Sequence, residues 1–176
     1  AYTAMGALEM PSGDWRRAAL IQSGYTREAY LREILDVMHA KRVLARVSIQ
    51  DAQNTSFEDD RITPLIALPD DFFAPGRYGV DYAKRAEDIC FAANACGAKD
   101  VLMDQFDEKA LQFCLVPICE DVQLRLHIRL TDRQMLNVFL KLLDASDSLR
   151  AVAFGGEDVE PMLIEAAVTR RRLLVR

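Results

Sequence analysis

Residues 122–130 read Val-Gln-Leu-Arg-Leu-His-Ile-Arg-Leu, with an aliphatic side chain at every second position. In an extended chain Val122, Leu124, Leu126, Ile128 and Leu130 line one face, and Gln123, Arg125, His127 and Arg129 line the other. A strand that is apolar on one side and polar on the other suits an antiparallel sheet covered on one face and wet on the opposite one.

The neighbouring residues extend this reading. Upstream, short apolar runs at 100–106 and 110–119 flank Asp107-Glu108-Lys109, so that 100–130 reads as a strand meander. Downstream, Thr131-Asp132-Arg133-Gln134 has the form of a capping box, with Thr131 as the N-cap of a helix reaching Ala145. A strand at Leu149–Phe154, the turn Gly155-Gly156 and a helix opened by Pro161 follow. Toward the N-terminus, Leu31, Ile34, Leu35 and Met38 recur at helical spacing behind Thr26, a candidate N-cap. Residues 43–50 alternate as a half-buried strand, and Arg61–Leu68 makes another, which Pro64 confines to an edge or a bulge. A helix over Asp81–Cys96 ends at Gly97. A short helix at Asp14–Gln22 would anchor on Trp15, and residues 1–13 read as a flexible arm.

The predicted architecture is therefore α+β: a single domain over 14–176, with an antiparallel sheet of about five to six strands and helices packed on one face. The element order resembles both a ferredoxin-like arrangement and the small helix-and-sheet chaperones of bacterial secretion systems. No shared motif assigns a family.

Composition bounds the function. A chain of 176 residues with 51% hydrophobic and 28% charged residues is an ordinary globular composition. The 22 basic against 27 acidic residues leave a net charge of −5, which argues against nucleic acid and anionic membrane as partners. Apolar stretches stop well short of the ~20 residues that span a bilayer. No basic start followed by an apolar block marks a signal peptide. Cys90, Cys96, Cys114 and Cys119 include no CxxC pair, and the two His, His39 and His127, stand far apart. That spacing predicts no metal site and four free thiols, suiting a reducing, cytoplasmic setting. Nucleotide-loop motifs are absent, and Glu157, Asp158 and Glu160 behind Gly155-Gly156 would repel phosphate, so no cofactor is expected.

Three side-chain groups remain as candidates. A hairpin over 110–130 turning at Glu120-Asp121 would set Cys114 opposite His127, about 5 Å apart, as a thiol and its base. Arg46, Arg125 and Arg129 on the polar sheet face, with His127, would suit a phosphate-bearing ligand. The loop Pro69–Gly79 carries Phe72, Phe73 and Tyr78 outside regular structure, where exposed rings would serve a protein interface. The leading expectation is a non-enzymatic protein-binding domain, an adaptor, dedicated chaperone or inhibitor, joined to another protein or a second copy of itself. The alternatives are a small cysteine-dependent enzyme using Cys114 and His127, and the phosphate binder. The basic C-terminus, Arg170, Arg171, Arg172 and Arg176, reads as the positive end of a helix.

Overall fold

The computed structural model describes residues 2–9, 16–23, 27–37 and 40–175, the first two stretches as backbone only. Trp15, Thr26, Met38, His39 and Arg176 lie outside the described residues. The strands are β1 (Tyr2–Glu9), β2 (Arg16–Ser23), β3 (Arg42–Val47), β4 (Ile62–Ala67), β5 (Asp100–Met103), β6 (Arg125–Leu130), β7 (Arg150–Gly155) and β8 (Leu173–Val175). They close a barrel in chain order. β1 pairs antiparallel with β2 and β8, and every other neighbouring pair from β2 to β8 is parallel.

The antiparallel sheet with helices on one face is thus overturned: β3 to β8 are six parallel strands flanked by helices. Parallel neighbours need crossovers, and from β4 onward these are helical. α2 (Tyr82–Cys96) joins β4 to β5, α5 (Arg133–Ala145) joins β6 to β7, and α6 (Glu160–Thr169) joins β7 to β8. Between β5 and β6, α3 (Glu108–Ala110) runs through a π-helical stretch, Leu111–Leu115, into α4 (Val116–Asp121). α1 (Glu28–Val37) packs Leu31 and Leu35 on Val43, Ala45 and Ile62.

The segment expected as the strand 110–119 is helical for a local reason. The Asp107 side chain caps it by accepting from the Ala110 N–H at 3.0 Å, and Ala110, Leu111, Cys114, Leu115, Ile118 and Cys119 are its buried residues. Those positions step by one helical turn, a 3.6 period rather than a period of two. Pro117 has no N–H to donate, and immediately before it the Val116 N–H reaches back five residues to the Leu111 carbonyl. The hairpin over 110–130 therefore does not form.

Two further corrections follow from the closed sheet. Residues 2–9 and 16–23, read as an arm and a helix, are strands. β4 is interior rather than an edge, despite Pro64. Its odd residues face β3, where the Arg61 carbonyl accepts from the Val43 N–H, and its even residues face β5, where the Leu68 N–H donates to the Leu102 carbonyl. The Pro64 nitrogen thus points to the β5 side, below the first rung of that ladder at Leu65–Asp100. No hydrogen bond is lost there.

Helix ends are fixed by side chains. Asp81 caps α2 by accepting from the Lys84 N–H, and Gly97 closes it at φ 73°. At α5 the N-cap is Asp132, whose carboxylate accepts from the Met135 N–H at 2.8 Å, whereas the Thr131 hydroxyl meets only the Met135 sulfur. Asp132→Ala should therefore lower stability by about 1 kcal/mol in denaturant titration, with a smaller loss in Thr131→Ala. Equal losses would return the cap to Thr131. Among the described residues no helix is long and apolar enough to cross a membrane.

Candidate functional site

Closure of the barrel gives the polar face of residues 122–130 a new setting: it lines the lumen. Leu124, Leu126, Ile128 and Leu130 are buried outward among the helices, but Val122 precedes β6 and is 50% exposed, while His127 is fully buried. Both faces of this strand are covered, so a sheet wet on one side is ruled out.

Among the described residues, lumen-facing side chains fall into three levels. At the N-terminal end of the strands, Asp100 of β5 accepts from Arg125 Nε at 2.6 Å and meets His127 Nε2 at 2.7 Å. Burial works to raise the Asp100 pKa, but the hydrogen bond from His127 and the charge and hydrogen bond of the Arg125 guanidinium outweigh it and hold it below the usual carboxylate value. Burial lowers the His127 pKa, with the positive Arg125 acting in the same sense, against the pull of Asp100. The group is therefore an Asp100–Arg125 ion pair with a neutral imidazole donating Nε2–H, and Nδ1 is a buried acceptor without a partner among the described residues. Above it lies an apolar layer of Leu44, Leu65, Leu102 and Phe154. At the C-terminal end Arg129 Nε donates to Asp104 at 2.8 Å, and the Arg129 guanidinium lies 5.0 Å over the Phe154 ring.

In a barrel of parallel strands the C-terminal ends and the loops after them are where ligand-handling groups gather, since each loop can vary without disturbing the ladder. Here a cleft of about 240 Å³ opens there, beside β4 and β5, with Asp70, Asp104 and Asp107 lining it together with Phe73, Met103 and Phe106. Phe73 is held edge-on to Phe72 at 4.9 Å and lies 6.3 Å from the Tyr82 ring. Phe72 is only 8% exposed, beneath the Arg85 guanidinium at 5.1 Å.

The candidates from sequence separate. Phe72 belongs to the core and Phe73 packs against it, so the three-ring interface loses two members, while Tyr78 is 92% exposed. Arg129 and the half-buried Arg46 lie in the C-terminal halves of β6 and β3, and Arg125 opens β6 at the opposite end. Cys114 and His127 are not brought together, for Cys114 is on the helical layer outside the barrel and His127 is in its lumen. Burial pushes the Cys114 thiol up to about 12 and raises Cys119 as well. All four cysteines are free. At neutral pH native Cys114 and Cys119 should resist alkylation while four thiols titrate in denaturant; rapid native labelling of Cys114 would contradict this placement.

Other groups have structural work. The Glu28 carboxylate accepts from the Glu58 and Asp59 N–H groups, and Asp59 pairs with Arg61 at 2.8 Å. Arg170 pairs with Asp144 at 2.6 Å, and Arg172 donates to the Leu143 and Ser146 carbonyls at the end of α5. Among the described residues no three His, Cys, Asp or Glu side chains converge on a metal position. The site residues missed in the sequence were Asp104 and Asp107; the available signal was a carboxylate directly after an apolar run, Val101-Leu102-Met103-Asp104.

No family model and no curated protein matches this sequence. Among solved structures it is similar to a uronate isomerase from Bacillus halodurans, with a TM-score of 0.62 and 8% identity over 86% of this chain and 47% of that one. At that identity the likeness is one of fold, and the chain spans about half the length of the protein it resembles.

Proposed function

We propose that the chain binds a small polyhydroxylated molecule in the cleft at the C-terminal ends of β4 and β5. The observation that carries this reading is the lining: Asp70, Asp104 and Asp107 beside Phe73 and Phe106 in a cavity of about 240 Å³. Carboxylates accept from several hydroxyls at once, and aromatic faces pack the C–H side of a sugar ring, so this mixture suits a polyol better than a purely apolar ligand. Arg129, oriented by Asp104 and Phe154, is the adjacent cation for a ligand that also carries a carboxylate. Sugar acids combine both groups. Uronates, which the structural neighbour's name places with that protein, head the panel to test.

The experiment is a titration of neutral sugars, uronates and simple carboxylates, followed by the amide signals of residues 103–107. A saturable shift with polyols, weakened about tenfold in Asp70→Asn, is expected. Absence of any saturable shift, or binding unchanged in both Asp70→Asn and Asp104→Asn, would remove the proposal.

Protein binding has one supporting observation of its own. Tyr78 is 92% exposed, with the Arg77 guanidinium 5.5 Å from its ring, at the outer end of the β4–α2 loop. Under that reading copies of the chain associate through Tyr78, and Tyr78→Ser raises the dissociation constant in sedimentation without altering stability. A wild-type chain that stays monomeric across the concentration range would end it.

A further inference from the structure

At the opposite end of the barrel, a cavity of about 410 Å³ lies among the loops before β6, β7 and β8. Gln123, Asp147, Ser148, Arg150 and Arg172 line it over Leu124. Parallel strands gather their N-termini at one end, and each strand from β3 to β8 begins with or directly follows a basic residue: Arg42, Arg61, Lys99, Arg125, Arg150 and Arg172. Several of these are committed, Arg61 to Asp59, Arg125 to Asp100, and both terminal nitrogens of Arg172 to backbone carbonyls. Arg150 is exposed and has no ion-pair partner within reach among the described residues.

Gln123 enters this lining from a fixed backbone position. It stands at φ 56°, in the left-handed region, among the described residues the non-glycine that does so. Glycine would adopt that backbone without strain, yet here the position carries an amide side chain into the cavity lining. As the residue after the C-cap of α4 it takes the left-handed helix-ending position, which fixes where its side chain leaves the backbone.

We propose that this cavity is an anion site for the phosphoryl group of a small phosphorylated molecule, held by Arg150, Gln123 and Ser148, with Arg172 contributing its charge from the α5 cap. Guanidinium, amide and hydroxyl donors arrive from separate loops, and such a spread suits a tetrahedral oxyanion with acceptors on every side better than a flat carboxylate. Asp147 in the same lining opposes a bare dianion and favours a ligand that carries hydroxyl groups beside its phosphoryl group. The site lies at the far end of the barrel from the polyol cleft and stands or falls separately from it.

The test uses inorganic phosphate, glycerol 3-phosphate and acetate as probes, with the Gln123 side-chain amide and the Ser148 backbone amide as reporters. Glycerol 3-phosphate is expected to saturate both signals, phosphate to do so more weakly, and acetate not to. Arg150→Ala should weaken binding about tenfold. Gln123→Gly, whose backbone prefers this conformation, should stay folded and also bind more weakly. Arg172 is left intact because it caps α5. No saturable shift at millimolar probe, equal response to acetate, or unchanged binding in Arg150→Ala would each overturn the assignment.

Discussion

Replacing Gly155 by alanine should destabilise the fold by about 3 kcal/mol, although the added group is one methyl. Gly155 ends β7 opposite Leu130 of β6, and the chain then turns so that Val159 comes back over it. A Cβ built there would stand 2.1 Å from the Leu130 carbonyl oxygen and 2.4 Å from Val159 Cγ2. The valine methyl has some freedom to rotate. The carbonyl has far less, because it belongs to the last residue of β6, paired with Gly155 itself, so relief requires shifting the paired ends of β6 and β7. Gly156 is the internal control, since a Cβ there meets nothing within 4 Å. Gly156→Ala should be nearly neutral, or slightly stabilising through the unfolded chain. The check is a pair of denaturant titrations. A lower midpoint with an unchanged slope is expected for Gly155→Ala alone, and equal midpoints for the two variants would show that the strand end adapts.

The same crowding bears on what the sequence could disclose. Helices α1, α2, α5 and α6 were legible because caps and stops are local: Asp81 before α2, Gly97 after it and Pro161 at the start of α6 act on backbone within one turn. Strand direction is not local, and it was lost through a single segment. Residues 110–119 look like a strand when the run Leu115–Ile118 is read alone, but the positions from Ala110 to Cys119 step by three and four behind the Asp107 cap. With that helix restored, strands and helices alternate from β4 to β8, and alternation implies parallel pairing.

The polar face of β6 misled for a different reason. Arg125, His127 and Arg129 resemble a solvated surface in one strand, because their carboxylate partners, Asp100 and Asp104, come from β5 and the residue just after it. Pairwise chemistry across parallel strands leaves no mark at fixed sequence spacing. The aromatic loop shows the same limit, since Phe72 and Phe73 differ from Tyr78 only in what folds over them.

Asp100→Ala should cost about 3–5 kcal/mol, because it removes one partner of a buried charge pair and leaves the other in place. The Arg125 side chain is 27% exposed and can swing partly toward water, whereas His127 is fully buried and would lose the partner its Nε2 has among the described residues. Neutralising the same carboxylate while keeping its shape, in Asp100→Asn, retains an acceptor for His127 and should cost less than the alanine change. The imidazole also makes stability depend on pH, and the sign follows from the direction of its shift. His127 titrates below its ordinary 6.5 in the folded chain, so the folded state resists a proton that the unfolded chain accepts. Its contribution is complete above 6.5 and is lost as pH falls from there through the folded value, with a slope of at most about 1.4 kcal/mol per pH unit. Asp100, also lowered, adds a second loss at more acid pH, below its ordinary 3.8. Denaturant titrations of the wild type and His127→Gln between pH 7 and 5 isolate the first component. Their difference in stability should narrow as the pH drops, because the glutamine variant has no proton to exclude. A difference that stays constant would mean that folding does not shift His127, and one that widens toward acid would mean that His127 is charged in the folded barrel and that Asp100 holds two cations rather than one.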